Sequence, residues 1–187
     1  MLHIQPVEKS SYRAFYARMK RDFPRNELPP FFAVKRNLRK KVYTALYLYD
    51  DGQEVGYAVL TAPAGFPFAL ITYLAVSPEC RSKGYGSSLL KLLDERFAGQ
   101  TLVLEAESPE AAKTEDERLI RERRIQFYER AGFRVVPTAR AKIFGVAMAI
   151  MVNAPGDIGS VREMMRALYR PSLPSARWLR FIDVMDV

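Results

Sequence analysis

The sequence predicts a mixed α+β sheet protein, and three observations carry that reading. Short runs rich in β-branched and aromatic residues alternate with amphipathic helical stretches. Three of these runs follow one another between Val42 and Val76 with only tight turns between them, a meander. The last of the three, Phe68–Val76 (FALITYLAV), is almost continuously apolar, as expected of a strand buried on both faces.

The elements follow in order. Leu2–Val7 alternates weakly and predicts a short first strand. Ser10 or Ser11 is placed to cap a helix reaching Arg21, with Tyr12, Phe15, Tyr16 and Met19 at helical spacing and Phe23-Pro24 as its stop. After Pro29-Pro30, Phe31–Lys41 reads as a short basic helix with Phe32, Val34 and Leu38 on its apolar side. Val42–Tyr49 and Val55–Thr61 form a hairpin about Asp50-Asp51-Gly52, and Ala62–Pro67 turns the chain into Phe68–Val76. A turn at Ser77–Lys83 leads to a helix from Gly84 to Phe97, with Leu89, Leu90, Leu93 and Phe97 on one face. Thr101–Glu107 is a strand, and Ser108–Glu117 a polar loop. Glu117–Ala131 is a helix closed by Gly132. Phe133–Val136 and Ala141–Val152 read as strands, Asn153–Gly156 as a turn and Ser160–Tyr169 as the last helix.

Composition limits the chemistry. One cysteine, Cys80, and one histidine, His3, allow no intrachain disulfide and no four-ligand Cys/His zinc site; counting leaves carboxylate sites open, and no metal is expected. No apolar run approaches the length of a membrane span, and no signal peptide is read at Met1–Gln5, so a cytoplasmic protein is expected, with no membrane partner. The net charge of +8 is unevenly distributed. Residues 1–41 hold eleven Lys/Arg against three acids, which is the entire excess; the remainder is balanced.

The sharpest local signal is the passage from the buried strand into a glycine-bearing helix start, Leu74-Ala75-Val76-Ser77-Pro78-Glu79-Cys80-Arg81-Ser82-Lys83-Gly84-Tyr85-Gly86-Ser87. A helix N-terminus offers free N–H groups and a positive dipole end, and glycines let the backbone approach a ligand. Neither the Rossmann spacing nor the G-x-x-x-x-G-K-[ST] loop is present. The segment instead resembles the central motif of the GNAT (GCN5-related N-acetyltransferase) superfamily, [L/V]-x-V-x-P-x-x-[R/Q]-x-x-G-x-[G/A], and matches it throughout Leu74–Gly86. A second signature of that family, a helical tyrosine ahead of Gly-Phe, is matched by Tyr128-Glu129-Arg130-Ala131-Gly132-Phe133.

The resemblance implies the GNAT acyl-CoA N-acyltransferase fold: a central mixed, mostly antiparallel sheet splayed at the CoA-binding strand, with helices on both faces. It implies one domain over 1–187, with a variable basic front segment (1–41), a core (42–153) and a C-terminal extension (154–187). The implied co-substrate is acetyl-CoA. Its pantetheine arm would pair with the main chain of Leu74, Ala75 and Val76, the Val76 N–H polarising the thioester carbonyl. Its pyrophosphate would lie on the N–H groups of Arg81, Ser82, Lys83, Gly84, Tyr85, Gly86 and Ser87. Tyr128 matches the usual general acid for the departing thiolate.

Other assignments depart from the family. Many members carry Asn and a small residue seven and four positions before the tyrosine. Here these are Arg121 and Arg124, which share a helix face with Tyr128. The pair could bind a CoA phosphate or an acidic acceptor, or form a solvated charged edge. Phe68–Val76 lacks the carboxylate that some members use as base. Alternation in Thr101–Glu107 sets Val103, Glu105 and Glu107 on one face. Glu105 is the candidate base or acceptor-binding group, a surface acid being the plain alternative. Tyr73, Glu107 and Arg121 are candidates for the acceptor site. Cys80 has no neighbouring histidine to activate it, so direct transfer is expected.

The acceptor is a small-molecule or protein amine that the sequence does not identify. Alternative readings are a catalytically silent CoA-binding sensor and, from Lys35-Arg36-Asn37-Leu38-Arg39-Lys40-Lys41, a nucleic-acid-binding module, which two matched motifs outweigh. Family helices in the front segment flank the acceptor, so its charge suggests an acceptor that is acidic or attached to something acidic. Trp178, Leu179, Phe181, Ile182, Val184 and Met185 are too apolar for a free tail and should pack on the body or on a second copy, as in a homodimer.

Overall fold

Strand pairing confirms the mixed α+β class in a computed structural model that describes residues 1–137, 139–154 and 158–186. The chain gathers into two units, Met1–Ala62 with Thr72–Arg96, and Pro63–Ile71 with the described part of residues 97–187. Among the described residues nine strands form one hydrogen-bonded sheet, eight along one path with the ninth paired beside it, and the strand pairs are mostly antiparallel. The expected Phe68–Val76 strand, β4, forms with those bounds and divides between the units after Ile71.

In the first unit β1 (His3–Pro6), β2 (Tyr43–Asp50) and β3 (Gln53–Thr61) lie side by side, and β3 neighbours β4. Asp51 and Gly52 both have positive φ (46° and 81°), as a two-residue hairpin turn requires, and Asp50 pairs with Gln53 across it. Helix α1 (Tyr12–Asp22) buries Tyr12, Phe15 and Met19 and ends at Phe23, as the spacing predicts. Ser11 occupies its N-cap position without a side-chain hydrogen bond, because the preceding turn is already a short 3-10 helix over Lys9–Ser11. Phe15 and Met19 join Val34, Leu38, Tyr57, Val59 and Tyr73 in one core.

Two expectations for α2 are corrected. It spans Phe31–Arg39 and buries Ala33, Val34, Asn37 and Leu38, whereas Phe32 is 72% exposed. The helix closes early because Lys41 turns left-handed (φ 57°), letting the N–H groups of Lys41 and Val42 bond the carbonyls of Leu38 and Asn37. That pattern is usually given by glycine, so no local signal marks it here. Helix α3 (Tyr85–Arg96) buries Leu89, Leu90 and Leu93.

In the second unit the strand order is β4, β5 (Thr101–Glu107), β8 (Val146–Val152), β7 (Ala139–Ile143) and β9 (Ile182–Asp186), with β6 (Arg134–Val135) also on β8. β4 and β5 run parallel through the pairs Phe68–Thr101, Ala69–Leu102 and Leu70–Val103. Helix α4 (Glu115–Arg130) starts two residues earlier than the pattern predicts, since Thr114 caps it by accepting from the Glu117 N–H at 3.2 Å. The single expected strand Ala141–Val152 is instead a hairpin, β7 and β8, reversed at Phe144 (φ 47°) and Gly145 (φ 89°). A bulky residue in the left-handed region carries no turn signal. Its ring stacks on Phe181 at 6.2 Å and its N–H donates to the Phe181 carbonyl at 2.8 Å.

Residues 155–157 lie outside the description, so the turn expected at Asn153–Gly156 is described only in part. Beyond them Ser160 caps α5 (Val161–Tyr169), which buries Val161, Met164, Met165, Leu168 and Tyr169. The C-terminal segment returns as a 3-10 turn and β9, burying Leu179, Ile182 and Val184 in the same core, while Trp178, Phe181 and Met185 stay exposed. Among the described residues no helix is long and apolar enough to cross a membrane.

The apolar side of α5 thus completes the second core. Met165 is fully buried within it. Met165→Ala is expected to lower unfolding free energy by about 2–5 kcal/mol, the usual cost of emptying a packed Met site. Denaturant titration measures this; a change within error would mean that α5 adds nothing to the unit.

Candidate active site

The end of β4 leads directly into the helix start that the sequence singled out. Leu74, Ala75 and Val76 are half-buried, and Ser77, at the exit, is 1% exposed. Pro78–Cys80 then forms one 3-10 turn, closed by the Cys80 N–H on the Ser77 carbonyl at 2.8 Å. Ser82 (φ 62°) and Gly84 (φ 84°) are left-handed with Lys83 between them, and Arg81–Gly84 are exposed. The Ser88 N–H bonds the Gly84 carbonyl at 3.1 Å. Tyr85, Gly86 and Ser87 therefore form the first turn of α3, where helix geometry supplies no intrahelical acceptor for their N–H groups. A bend of this kind ahead of a helix N-terminus suits an anion. Arg81 Nε donates to the Val76 carbonyl at 3.3 Å, and the Tyr85 hydroxyl donates to Asp50 at 2.8 Å.

Two residues that sequence reasoning passed over, Arg18 and Gly56, hold this segment. Arg18 on α1 donates to Asp22 at 3.1 Å, Glu54 at 2.9 Å and the Ser77 hydroxyl at 2.8 Å. The Ser77 N–H in turn bonds the Val55 carbonyl at 2.9 Å. A β-carbon on Gly56 would meet the Ala75 carbonyl oxygen at 2.7 Å, so β3 can approach the last turns of β4 only because residue 56 has no side chain. The Arg18–Asp22 pair at i,i+4 was the readable part of this network.

Tyr73 is 7% exposed, its ring packs edge-on against Phe23 at 5.0 Å, and its hydroxyl donates to the Glu27 carbonyl at 3.0 Å. It anchors the loop between α1 and α2 onto β4. Cys80 is buried, and His3 is exposed and stacked on Tyr49.

The remaining candidates lie in the second unit. The Tyr128 signature is a helix terminus: the Phe133 N–H bonds the Tyr128 carbonyl, the Gly132 N–H bonds the Glu129 carbonyl, both at 3.0 Å, and Gly132 has φ 90°. The Tyr128 ring packs near Phe127 and Phe133. The backbone and ring of Tyr128 are thus explained by helix closure. Its hydroxyl is not: among the described residues it has no hydrogen-bond partner. Burial raises the phenol's pKa, opposed by the positive charge of Arg124, so the group stays protonated at neutral pH.

The acids of β5 separate. Glu107 accepts from Arg121 and Arg124, each at 3.3 Å, and Arg121 also donates to the Ser108 carbonyl at 2.9 Å. Two guanidiniums thus compensate the Glu107 charge. Arg124 is the more exposed of the two, at 46% against 14%. Among the described residues no arginine pairs with Glu105. Its carboxylate accepts from the Tyr169 hydroxyl on α5 at 2.8 and 3.0 Å, and burial pushes it up to about 7 against that hydrogen bond. Tyr169 was expected only as the end of a helix, and nothing local signals its reach to β5.

The sequence pattern of the acetyltransferase (GNAT) domain matches residues 42–135. Among curated proteins no sequence matches. Solved structures share the fold. A GNAT-family protein from Bacteroides thetaiotaomicron aligns with TM-score 0.74 at 22% identity over 90% of this chain and 96% of its own. The ribosomal-protein-S18-alanine N-acetyltransferase of Escherichia coli aligns at 0.57 and 20%, over 86% and 99%. An aminoglycoside 6'-N-acetyltransferase complexed with coenzyme A aligns at 0.60 and 15%, over 83% and 99%.

Glu105 gives a test that needs no ligand. In the folded chain it keeps its proton up to about 7, against an ordinary value of 4.5. The stability contributed by the protonated form is complete below about 4.5 and is lost as pH rises through about 7. Urea unfolding of the wild type and Glu105→Gln should therefore show the wild type losing stability relative to the variant between pH 4.5 and pH 8. A constant difference would mean that Glu105 titrates as an ordinary surface acid.

Proposed function

The chain belongs to the GNAT acetyltransferase family, and from that premise we propose that it transfers an acetyl group from acetyl-CoA to a primary amine by direct attack. The observation that carries this reading is the left-handed pair Ser82 and Gly84 ahead of the free first turn of α3, directly after β4. That arrangement supplies backbone donors for a pyrophosphate, and Arg81 and Lys83 add positive charge beside it. A solved neighbour of this fold was crystallised with coenzyme A, which supports the assignment.

The roles follow from the groups available. The main chain of Leu74, Ala75 and Val76 pairs with the pantetheine arm, and the Val76 N–H polarises the thioester carbonyl. Arg81, Ser82, Lys83, Gly84, Tyr85, Gly86 and Ser87 hold the pyrophosphate. Arg124, half exposed and only singly engaged by Glu107, has donors left for a phosphate oxygen. The neutral amine nitrogen bonds to the carbonyl carbon as the carbon–sulfur bond breaks. Tyr128 donates its proton to the departing sulfur, and its unengaged, raised-pKa hydroxyl suits that task. The proton lost by the amine goes to Glu105, directly or through water, because a carboxylate near 7 is poised between its two forms at neutral pH. The nitrogen thereby becomes an amide and the sulfur a free thiol.

Two measurements test this. Calorimetry should detect acetyl-CoA binding to the wild type. Tyr128→Phe should keep that affinity and lower kcat by about a hundredfold or more, the range of a lost general acid. Equal turnover in the variant would remove Tyr128 from the mechanism. Binding with no transfer to any amine would identify a silent CoA-binding protein instead.

A further inference from the structure

The front segment folds around a cavity that the donor chemistry does not use. It measures about 650 Å³, within the usual range of small-molecule sites. Its walls are the rings of Tyr16, Phe23 and Phe31 with Leu28, and it also carries Lys20 and Arg25. Among the described residues no acid lines it. Lys20 lies over the Tyr16 ring at 5.8 Å, and among the described residues neither Lys20 nor Arg25 has a carboxylate partner. Of the acids near these residues in sequence, Asp22 is held by Arg18.

The walls are fixed before any ligand arrives. The Tyr16 hydroxyl donates to the Pro29 carbonyl at 3.0 Å, and Tyr73 donates to the Glu27 carbonyl. Phe23 packs on Tyr73, which directly precedes the Leu74–Val76 segment of β4. One wall of the cavity, Phe23, thus packs directly on the strand to which the acetyl donor is assigned.

We propose that this cavity binds the amine acceptor, and that the acceptor is a small molecule carrying a carboxylate on an apolar, ring-bearing body. The inference rests on the acetyltransferase reading above. Three aromatic walls suit a flat apolar body, and two uncompensated cations suit one anionic group. A polycation is disfavoured, because the same two charges repel it and the described lining residues include no acid. The relevant part of the basic front segment is thus Lys20 and Arg25. Two further cations of the front segment, Arg13 and Lys35, lie over the Phe31 wall at 5.7 and 5.9 Å from its ring, and neither is among the residues that line the cavity.

The test uses the full-length chain and matched amines. Phenylalanine is compared with phenethylamine, and the dipeptide Glu-Phe with the uncharged Gln-Phe-amide; spermidine serves as the polycation. Thiol release gives kcat and KM, and calorimetry without acetyl-CoA gives the affinity for N-acetylphenylalanine. The carboxylate-bearing member of each pair should have a KM lower by about tenfold, the size of one charge-assisted hydrogen bond. Lys20→Gln/Arg25→Gln should erase that preference and the N-acetylphenylalanine binding, with acetyl-CoA affinity as the check on folding. Transfer that is equal for charged and uncharged partners, strongest for spermidine, or unchanged in its preference by the double substitution overturns the proposal and leaves the acetyltransferase reading standing. N-acetylphenylalanine binding that needs Lys20 and Arg25, with no transfer to any amine, supports the cavity and overturns the acetyltransferase reading. No binding and no transfer overturns both.

Discussion

The Ala75 carbonyl oxygen passes 2.7 Å from where a β-carbon on Gly56 would stand. Real side chains do not tolerate such a contact, so the missing side chain sets how closely β3 meets the end of β4. Much of the first unit's site geometry follows from that approach. With the strands at this spacing, the Ser77 N–H reaches the Val55 carbonyl and the Ser77 hydroxyl reaches Arg18. Arg18 also holds Glu54 on β3 and Asp22 on its own helix, so one guanidinium ties α1, β3 and the loop entry together. The exposed bend at Arg81–Gly84 thus follows a residue, Ser77, that is buried and hydrogen-bonded through both its N–H and its hydroxyl. An anion site made of backbone N–H groups needs such an anchor, because its donors have little conformational freedom of their own to adjust.

The two candidate catalytic side chains illustrate different relations between packing and chemistry. At Tyr128 the fold uses the backbone and the ring to end α4, and the hydroxyl is the part left over. A phenol raised by burial and kept from other acceptors is a competent proton donor. At Glu105 the fold supplies one neutral donor, Tyr169, and no cation. Desolvation therefore dominates, and the carboxyl titrates near neutrality. Glu107, two residues along the same strand face, meets two arginines instead. Neighbouring acids on one strand are separated into distinct electrostatic roles by what α4 and α5 present to them.

Much of this was legible in the sequence where local rules suffice. The bounds of β4 and β5 follow from their apolar runs, and Gly132 marks the end of α4. The phosphate-type loop was readable because strand, Ser-Pro turn and glycines occur in one continuous stretch. What escaped depends on partners distant in sequence. The Phe144 turn exists because Phe181 and Tyr169 stabilise a residue that would not choose it alone. The early close of α2 uses Lys41 where a glycine would have been a signal. The Tyr169–Glu105 bond spans 64 residues, and β9 forms only because β7 offers it an edge. Phe32 has the periodicity of a core residue but stands in solvent, because the helix turns Ala33 and Asn37 inward instead.

The Tyr73 hydrogen bond has a different kind of consequence. Its acceptor is the main-chain carbonyl of Glu27, and Tyr16 likewise bonds the carbonyl of Pro29. Every amino acid presents that carbonyl, so the side chains of the α1–α2 loop can be exchanged without releasing the loop from β4. The loop also lies outside residues 42–135, the stretch that carries the family pattern. Arg25 and Leu28 are the lining residues on that loop whose side chains carry none of these anchors, so substitutions there could change what the cavity admits with its anchorage intact at each step.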